Sequence, residues 1–340
     1  MKSLKRGSRL ITLMISVFII GMIVLIAKIQ MEASFYISNS GSRNLGYIYD
    51  RNGDIIFDDN AENGQYPDGY FKDLGNLIGD ASGQMTNTLV AKNLEKLSNY
   101  SFTSGITYKG GKAAFYSPLS HEANEAVYSA FGDKDGCAIA YNYKTGEILV
   151  CVSRPSVDPL KGYEDLAEGS LLCKAFYKTV PGSTQKIATL ISAVETMGMD
   201  ALMEKSFTCN GVYTNNTGLD IVCHNEYGHG TQNIREAFAN SCNPFFAQLV
   251  EDSGWSLSDI EDCYKKLGYS VNGSEETEIS IDGIISSKAS TTLEDKNEFN
   301  TQWSCIGQGT SLVSPCQLMM WQSAIANESG KSTMPYLIDH

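Results

Sequence analysis

A chain of 340 residues with 42% hydrophobic and 19% charged content can bury one large core, or a core with a smaller satellite domain, and lies far from the composition of a disordered polymer. The formal net charge is −13, and because the first thirty residues carry five cations and no acid, the remainder stands at −18. So acidic a body excludes a nucleic-acid groove, in which every phosphate contact needs a cation.

Lys2, Lys5, Arg6 and Arg9 precede eighteen uncharged, mostly apolar residues, Leu10 to Ala27. At about 1.5 Å per residue they just span roughly 30 Å of hydrocarbon. No small-x-small cleavage site follows, and Lys28 and Glu32 stand where one would fall, so the run reads as an uncleaved anchor in the cytoplasmic membrane rather than a cleaved signal peptide. The basic end belongs in the cytoplasm and the rest of the chain outside.

Further on, Gly46 to Phe57 holds two aromatic-rich apolar runs joined across Asn52-Gly53, a strong hairpin signal. Residues 59–85 read as loops, Leu89 to Leu97 as a helix, and the polar, glycine-rich stretch 99–112 as a link to the next domain. His121 to Phe131 has helical spacing. Cys137 to Tyr141 and Glu147 to Val152 then read as two strands of a buried antiparallel sheet around the turn 142–146, and the chain leaves the sheet from Ser153.

The stretch on which the rest depends is Val180-Pro181-Gly182-Ser183-Thr184-Gln185-Lys186. Pro181 and Gly182 break the preceding structure, and Ile187, Leu190, Ile191 and Val194 recur at helical spacing, which predicts a helix starting at or near Ser183. Ser183 and Lys186, three apart, are then neighbours on one face. A serine hydroxyl needs a base, and an ammonium cannot accept a proton, so the lysine must be desolvated or crowded by positive charge to activate it. The competing reading is a capping serine and a solvated surface lysine.

From about residue 113 onward the chain resembles the transpeptidase domain of the penicillin-binding proteins, membrane-anchored enzymes that cross-link peptidoglycan, in the class B form without a glycosyltransferase. The resemblance rests on Ser183-x-x-Lys186, the hairpin Tyr143 to Leu149 followed by Ser153-Arg154-Pro155 and Asp158-Pro159, Gly228-His229-Gly230 ahead of Ser241-Cys242-Asn243, and Ile306-Gly307-Gln308-Gly309 followed by Ser314-Pro315-x-Gln317-Leu318. It implies an α+β fold like that of the serine β-lactamases and penicillin-binding transpeptidases, with an antiparallel sheet flanked by helices. The chain then divides into 1–29 as cytoplasmic tail and transmembrane anchor, 30–112 as a pedestal and linker region, and 113–340 as the transpeptidase domain. It also implies that Ser183 is the nucleophile and Lys186 its base, that Ser241 relays a proton, and that Asn243 holds the substrate peptide bond. Ser-x-Asn occurs at Ser42 and Ser270 as well, so only position favours Ser241, where a helix cap is the competing role.

The family's third motif, Lys-[Ser/Thr]-Gly on a strand beside the nucleophile, is expected after the Ser-Pro-x-Gln-Leu segment. The Lys144-Thr145-Gly146 of this chain precedes the nucleophile and matches an earlier hairpin turn, while Lys331-Ser332-Thr333 lacks the glycine. The resemblance therefore implies that the last sheet strands are missing, in a truncated chain or a short form with impaired catalysis.

Nine cysteines cannot all pair internally. Cys209 and Cys223 flank a loop that a disulfide could close. Cys209, Cys223, His224 and His229 suggest zinc, but their spacing fits no standard finger, and no metal or cofactor is assigned. Cys242 has no histidine placed by sequence to activate it. Three readings follow: a D,D-transpeptidase acting on peptidoglycan stem peptides and inhibited by β-lactams, with cell-wall synthesis proteins as partners; a non-catalytic envelope protein or β-lactam sensor; and, less favoured, a β-lactamase.

Overall fold

A computed structural model describes residues 2–31, 45–58, 72–98, 100–101, 105–106, 113–158, 162–275 and 278–339. Helix α1 (Lys2–Met31) contains one segment long and apolar enough to cross a membrane, Ile11–Ile29, with a mean hydropathy of 2.5 and none of its surface buried. The expected span, Leu10 to Ala27, lies almost wholly within it.

The hairpin across Asn52-Gly53 forms as β1 (Tyr47–Tyr49) and β2 (Ile55–Phe57), with Ile48 opposite Phe57. Asp50 ties the turn by accepting from the backbone N–H groups of Asn52 and Asp54. Within 72–85, read as loop, the buried residues Gly75–Ile78 make a short helix α2, and the rest of that prediction, 59–71, lies outside the described residues. The helix predicted over Leu89 to Leu97 divides into α3 (Leu89–Lys92), capped by Thr88, and α4 (Leu94–Leu97). Of the predicted link 99–112, only a minimal pairing of β3 (Tyr100–Ser101) with β4 (Gly105–Ile106) is described. Strand β5 (Ala114–Tyr116) then pairs in parallel with β1.

Helix α5 (His121–Ala130) starts at Ser120, whose hydroxyl accepts from the N–H of Ala123. It covers the antiparallel pair β6 (Gly136–Tyr141) and β7 (Ile148–Arg154). The chain does not leave the sheet at Ser153: Ser153 still pairs with Cys137, and Arg154 with Gly136. The Lys144-Thr145-Gly146 turn packs on the 333–336 segment, where Tyr336 N–H donates to Gly146 O at 2.9 Å.

After a 3-10 turn at Gly182–Gln185 come α6 (Lys186–Met197) and α7 (Met199–Glu204). Two hairpin-like pairs follow, β8 (Ser206–Cys209) with β11 (Gly230–Asn233) and β9 (Val212–Thr214) with β10 (Asp220–Val222). Helix α8 (Ile234–Ala239) opens with a capping box between Asn233 and Glu236, and α9 (Asn243–Glu251) opens with Pro244 in its first turn. Helix α10 (Leu257–Lys266) precedes β12 (Tyr269–Val271), β13 (Glu278–Ile281), β14 (Ile284–Ser287) and β15 (Ala289–Thr291). The chain continues through α11 (Phe299–Ile306) and β16 (Leu312–Val313) to α12 (Pro315–Ala326), whose Ser314-Pro315 start is both a side-chain cap and a proline at the first helical position.

Two apolar clusters hold these elements. One joins Ile48, Leu77 and Leu94 of the early region to Ile148, Phe176 and Leu337, so the described residues between 45 and 98 share a core with the β6–β7 pair. The other gathers Ala188, Phe245, Phe246, Tyr264, Trp303 and Trp321 around α6 and α9. Each fully buried side chain of this size contributes roughly 1.5–3 kcal/mol. The second cluster fixes the helix carrying the predicted base against the helix that begins with Asn243.

Candidate active site

Ser183 lies in the 3-10 turn, not in the first turn of the α-helix, and Lys186 is the first residue of α6. The difference matters, because at three residues per turn positions i and i+3 eclipse. The hydroxyl therefore stands over the amine: Lys186 Nζ is 3.0 Å from Ser183 Oγ. Ser183 is exposed, while Lys186 is only 1% exposed, so a hydroxyl facing solvent is backed by a buried amine.

Three further acceptors surround the amine: Ser241 O at 2.7 Å, Ser241 Oγ at 3.0 Å and Asn243 Oδ1 at 2.7 Å. The orientation of the Asn243 amide is decided by its other end, where Nδ2 donates to Val222 O at 3.0 Å. A neutral amine has two hydrogens and one lone pair. The carbonyl of Ser241 and the oxygen of Asn243 can only accept, so they take both hydrogens and leave the lone pair for a hydroxyl. Burial pulls Lys186 from the ordinary 10.5 down to about 8. The Phe246 ring, its centroid 5.6 Å from Nζ, and the N-terminus of α9 complete these surroundings.

Ser241 owes its place to backbone geometry that carries strain. Helix α8 closes in a Schellman pattern, with Cys242 N–H donating to Ala237 O and Ser241 N–H to Phe238 O, which puts Ser241 in the left-handed region at φ 50°. Glycine is usual there, and a side chain costs on the order of 1–2 kcal/mol. The serine is not a helix cap. Its Oγ faces Lys186, and α9 has no side-chain cap.

All four sequence-predicted residues thus meet around one nitrogen. Sequence reasoning missed what lies beneath them. Gln185, fully buried, donates to Tyr264 Oη at 3.1 Å and accepts from Tyr269 Oη, and Tyr264 Oη in turn meets Thr189 Oγ1 at 2.8 Å. Gly307 sits against the 3-10 turn that carries Ser183, at φ 117°, and a Cβ there would fall 1.6 Å from Gly182 O. The two-way pairing of Thr179 with Val313 clamps the same loop from the other side. Glycines at 307 and 309 were visible as a motif, but their close approach to residue 182 was not. A groove of about 590 Å³ between β6 and α12 runs to Thr184, next to Ser183 in the chain.

Residues 136–340 match the family described as penicillin binding protein transpeptidase domain. The chain belongs to that family. Among curated relatives, the chain is 32% identical over 204 residues to stage V sporulation protein D of Bacillus subtilis, covering 59% of this chain and 29% of that protein. It is 26% identical over 259 residues to the peptidoglycan D,D-transpeptidase PbpA of Mycolicibacterium smegmatis, covering 70% and 50% respectively. The chain therefore spans half or less of the length of these relatives. Among solved structures, penicillin-binding protein A from Mycobacterium tuberculosis as its penicillin G acyl-enzyme complex matches with a TM-score of 0.68 at 18% identity, over 87% of this chain and 74% of that one. This agrees with the expected α+β transpeptidase fold.

The sequence left the state of the cysteines open. All nine are free thiols, so Cys209 and Cys223 are not joined by a disulfide. They approach His229 and Cys242 instead, a grouping that the sequence reading, which assigned no metal, did not contain. A histidine is thus placed near Cys242 after all. Cys242 is nevertheless fully buried, and burial pushes its thiol up to about 12, so it is no nucleophile.

Proposed function

We propose that this chain is a serine-type peptidoglycan D,D-transpeptidase. Ser183 Oγ attacks the carbonyl of a D-alanyl-D-alanine stem peptide and passes its proton to Lys186 Nζ, forming the C–O ester bond as the C–N peptide bond breaks. Ser241 relays that proton to the departing amine. An amine from a neighbouring strand then takes the acyl group from Ser183. β-Lactams acylate Ser183 as mimics of the same peptide, as penicillin G does to the solved relative. The observation that carries this reading is the 3.0 Å approach of a buried amine to an exposed hydroxyl. In this reading 1–29 is a single-pass anchor with its N-terminus in the cytoplasm, 30–112 a pedestal, and 113–340 the extracytoplasmic transpeptidase domain.

Labelling the full-length protein in detergent with a fluorescent penicillin, alongside turnover of a D-alanyl-D-alanine peptide, tests the proposal. Labelling with turnover supports the enzyme; labelling without turnover supports the sensor; neither overturns both.

Acylation should depend on pH through Lys186. The free amine is the active form, so with the amine near 8 the second-order rate with penicillin is expected to rise about tenfold per pH unit below 8 and flatten above it. A profile flat between pH 6 and 8 would exclude the lysine as base. The strain at Ser241 gives a second expectation. Ser241→Gly relieves the left-handed backbone and raises the melting temperature by a few degrees, yet slows acylation by roughly 10²-fold because the relay hydroxyl is gone. An acylation rate left unchanged by Ser241→Gly would remove Ser241 from the chemistry.

A further inference from the structure

The ligand atoms of Cys209, Cys223, His229 and Cys242 all lie within 4.8 Å of one another. They come from four separate places: the end of β8, the residue after β10, the residue before β11, and the N-cap of α9. We propose that these residues form a structural zinc site that fastens the Ser241–Asn243 segment to the β8–β11 hairpins.

Geometry is the first argument. A tetrahedral zinc with Zn–S about 2.3 Å and Zn–N about 2.0 Å sets sulfur and nitrogen about 3.5 Å apart and two sulfurs about 3.8 Å apart. Cys223 Sγ lies 3.5 Å from His229 Nδ1, and no two of the four ligand atoms are more than 4.8 Å apart, about 1 Å beyond the sulfur–sulfur separation of such a site. Three soft thiolates with one imidazole select zinc over magnesium or calcium, and four protein ligands leave no open position, as in a structural site.

The backbone around the cluster is also built for close approach. Cys223 N–H donates to Gly211 O at 2.8 Å, and His229 N–H to Cys209 O at 3.0 Å. A Cβ on Gly211 would meet Glu226 O at 2.0 Å, and one on Gly228 would meet Cys209 O at 2.2 Å, both at positive φ. The turns carrying Cys209 and His229 therefore interlock through glycines. His224 stands outside: its Nδ1 is 3.9 Å from Cys223 Sγ, and it is not among the four.

Placement gives the site its purpose. Cys242 lies between Ser241 and Asn243, and Cys223 follows Val222, whose carbonyl orients the Asn243 amide. One ion would therefore hold three of the groups that set the surroundings of Lys186. Binding releases the thiol protons and converts metal affinity into folding free energy for a region otherwise made of short strands.

The test uses full-length protein purified in detergent under a phosphine reductant. Metal analysis is expected to give about one zinc per chain after dialysis. Exchange with cobalt(II) is expected to give the intense visible bands of a tetrahedral thiolate site. His229→Ala should weaken cobalt binding at least tenfold and Cys209→Ser should abolish it, while His224→Ala leaves the spectrum in place. Less than a tenth of an equivalent of zinc in the unsubstituted protein, together with no cobalt bands, overturns the proposal without relying on any variant that fails to fold. So does a mass lower by two hydrogens that reports a disulfide within the cluster. Loss of the spectrum in His224→Ala but not in His229→Ala overturns the ligand assignment. None of these readouts involves acylation, so they stand apart from the fate of the transpeptidase reading.

Discussion

Ser183→Ala is expected to abolish penicillin labelling, lowering the acylation rate by at least about 10³-fold, with the melting temperature almost unchanged. The split follows from the position of the side chain. Ser183 is exposed, and its backbone carbonyl still serves the 3-10 turn in the variant, so little folding energy is lost. The rate falls because the exposed hydroxyl beside Lys186 is gone: the carbonyl of Ser241 and the oxygen of Asn243 take the amine hydrogens, and the one hydroxyl left at the amine, Ser241 Oγ, is tied to a strained backbone. Intact-protein mass spectrometry after penicillin treatment checks this. A stoichiometric adduct on the variant would place the nucleophile elsewhere.

Lys186→Met, which keeps length and removes the amine, is expected to slow acylation by about 10²- to 10⁴-fold. It should also erase the rise with pH below 8, because the group responsible for it is gone. Stability responds to opposing effects. Ser241 O and Asn243 Oδ1 lose a donor in a buried setting, which costs roughly 1–3 kcal/mol, but an amine no longer has to be desolvated. Stopped-flow acylation measured across pH, with thermal unfolding on the same samples, separates the two effects. A variant that retains the pH dependence would show that another base serves Ser183.

How far the site was legible depended on whether its residues were neighbours along the chain. Ser183 and Lys186 sit three apart, and local backbone geometry alone makes such residues meet, although the 3-10 turn that eclipses them was not separable from an α-helix by pattern. Ser241 was harder. Its triplet recurs elsewhere, and its meaning came from order along the chain and from resemblance. Gln185 gave no signal at all, since a buried glutamine is defined by Tyr264 and Tyr269, far away in sequence. The cysteines mislead most: their spacings fit no local motif because the ligands approach one another only after β8 pairs with β11 and α8 closes back at Ser241.

By itself the sequence determined the apolar N-terminal helix, the β6–β7 hairpin, the turn at Pro181-Gly182 and the closeness of Ser183 to Lys186. Each of these depends on residues within one or two turns of one another, where periodicity, turn chemistry and charge act directly. Only the tertiary structure decided the state of Lys186, the strain at Ser241 and the gathering of three thiols with an imidazole. Burial, backbone handedness and ligand distance belong to packed segments brought together across the chain, and no local pattern encodes them.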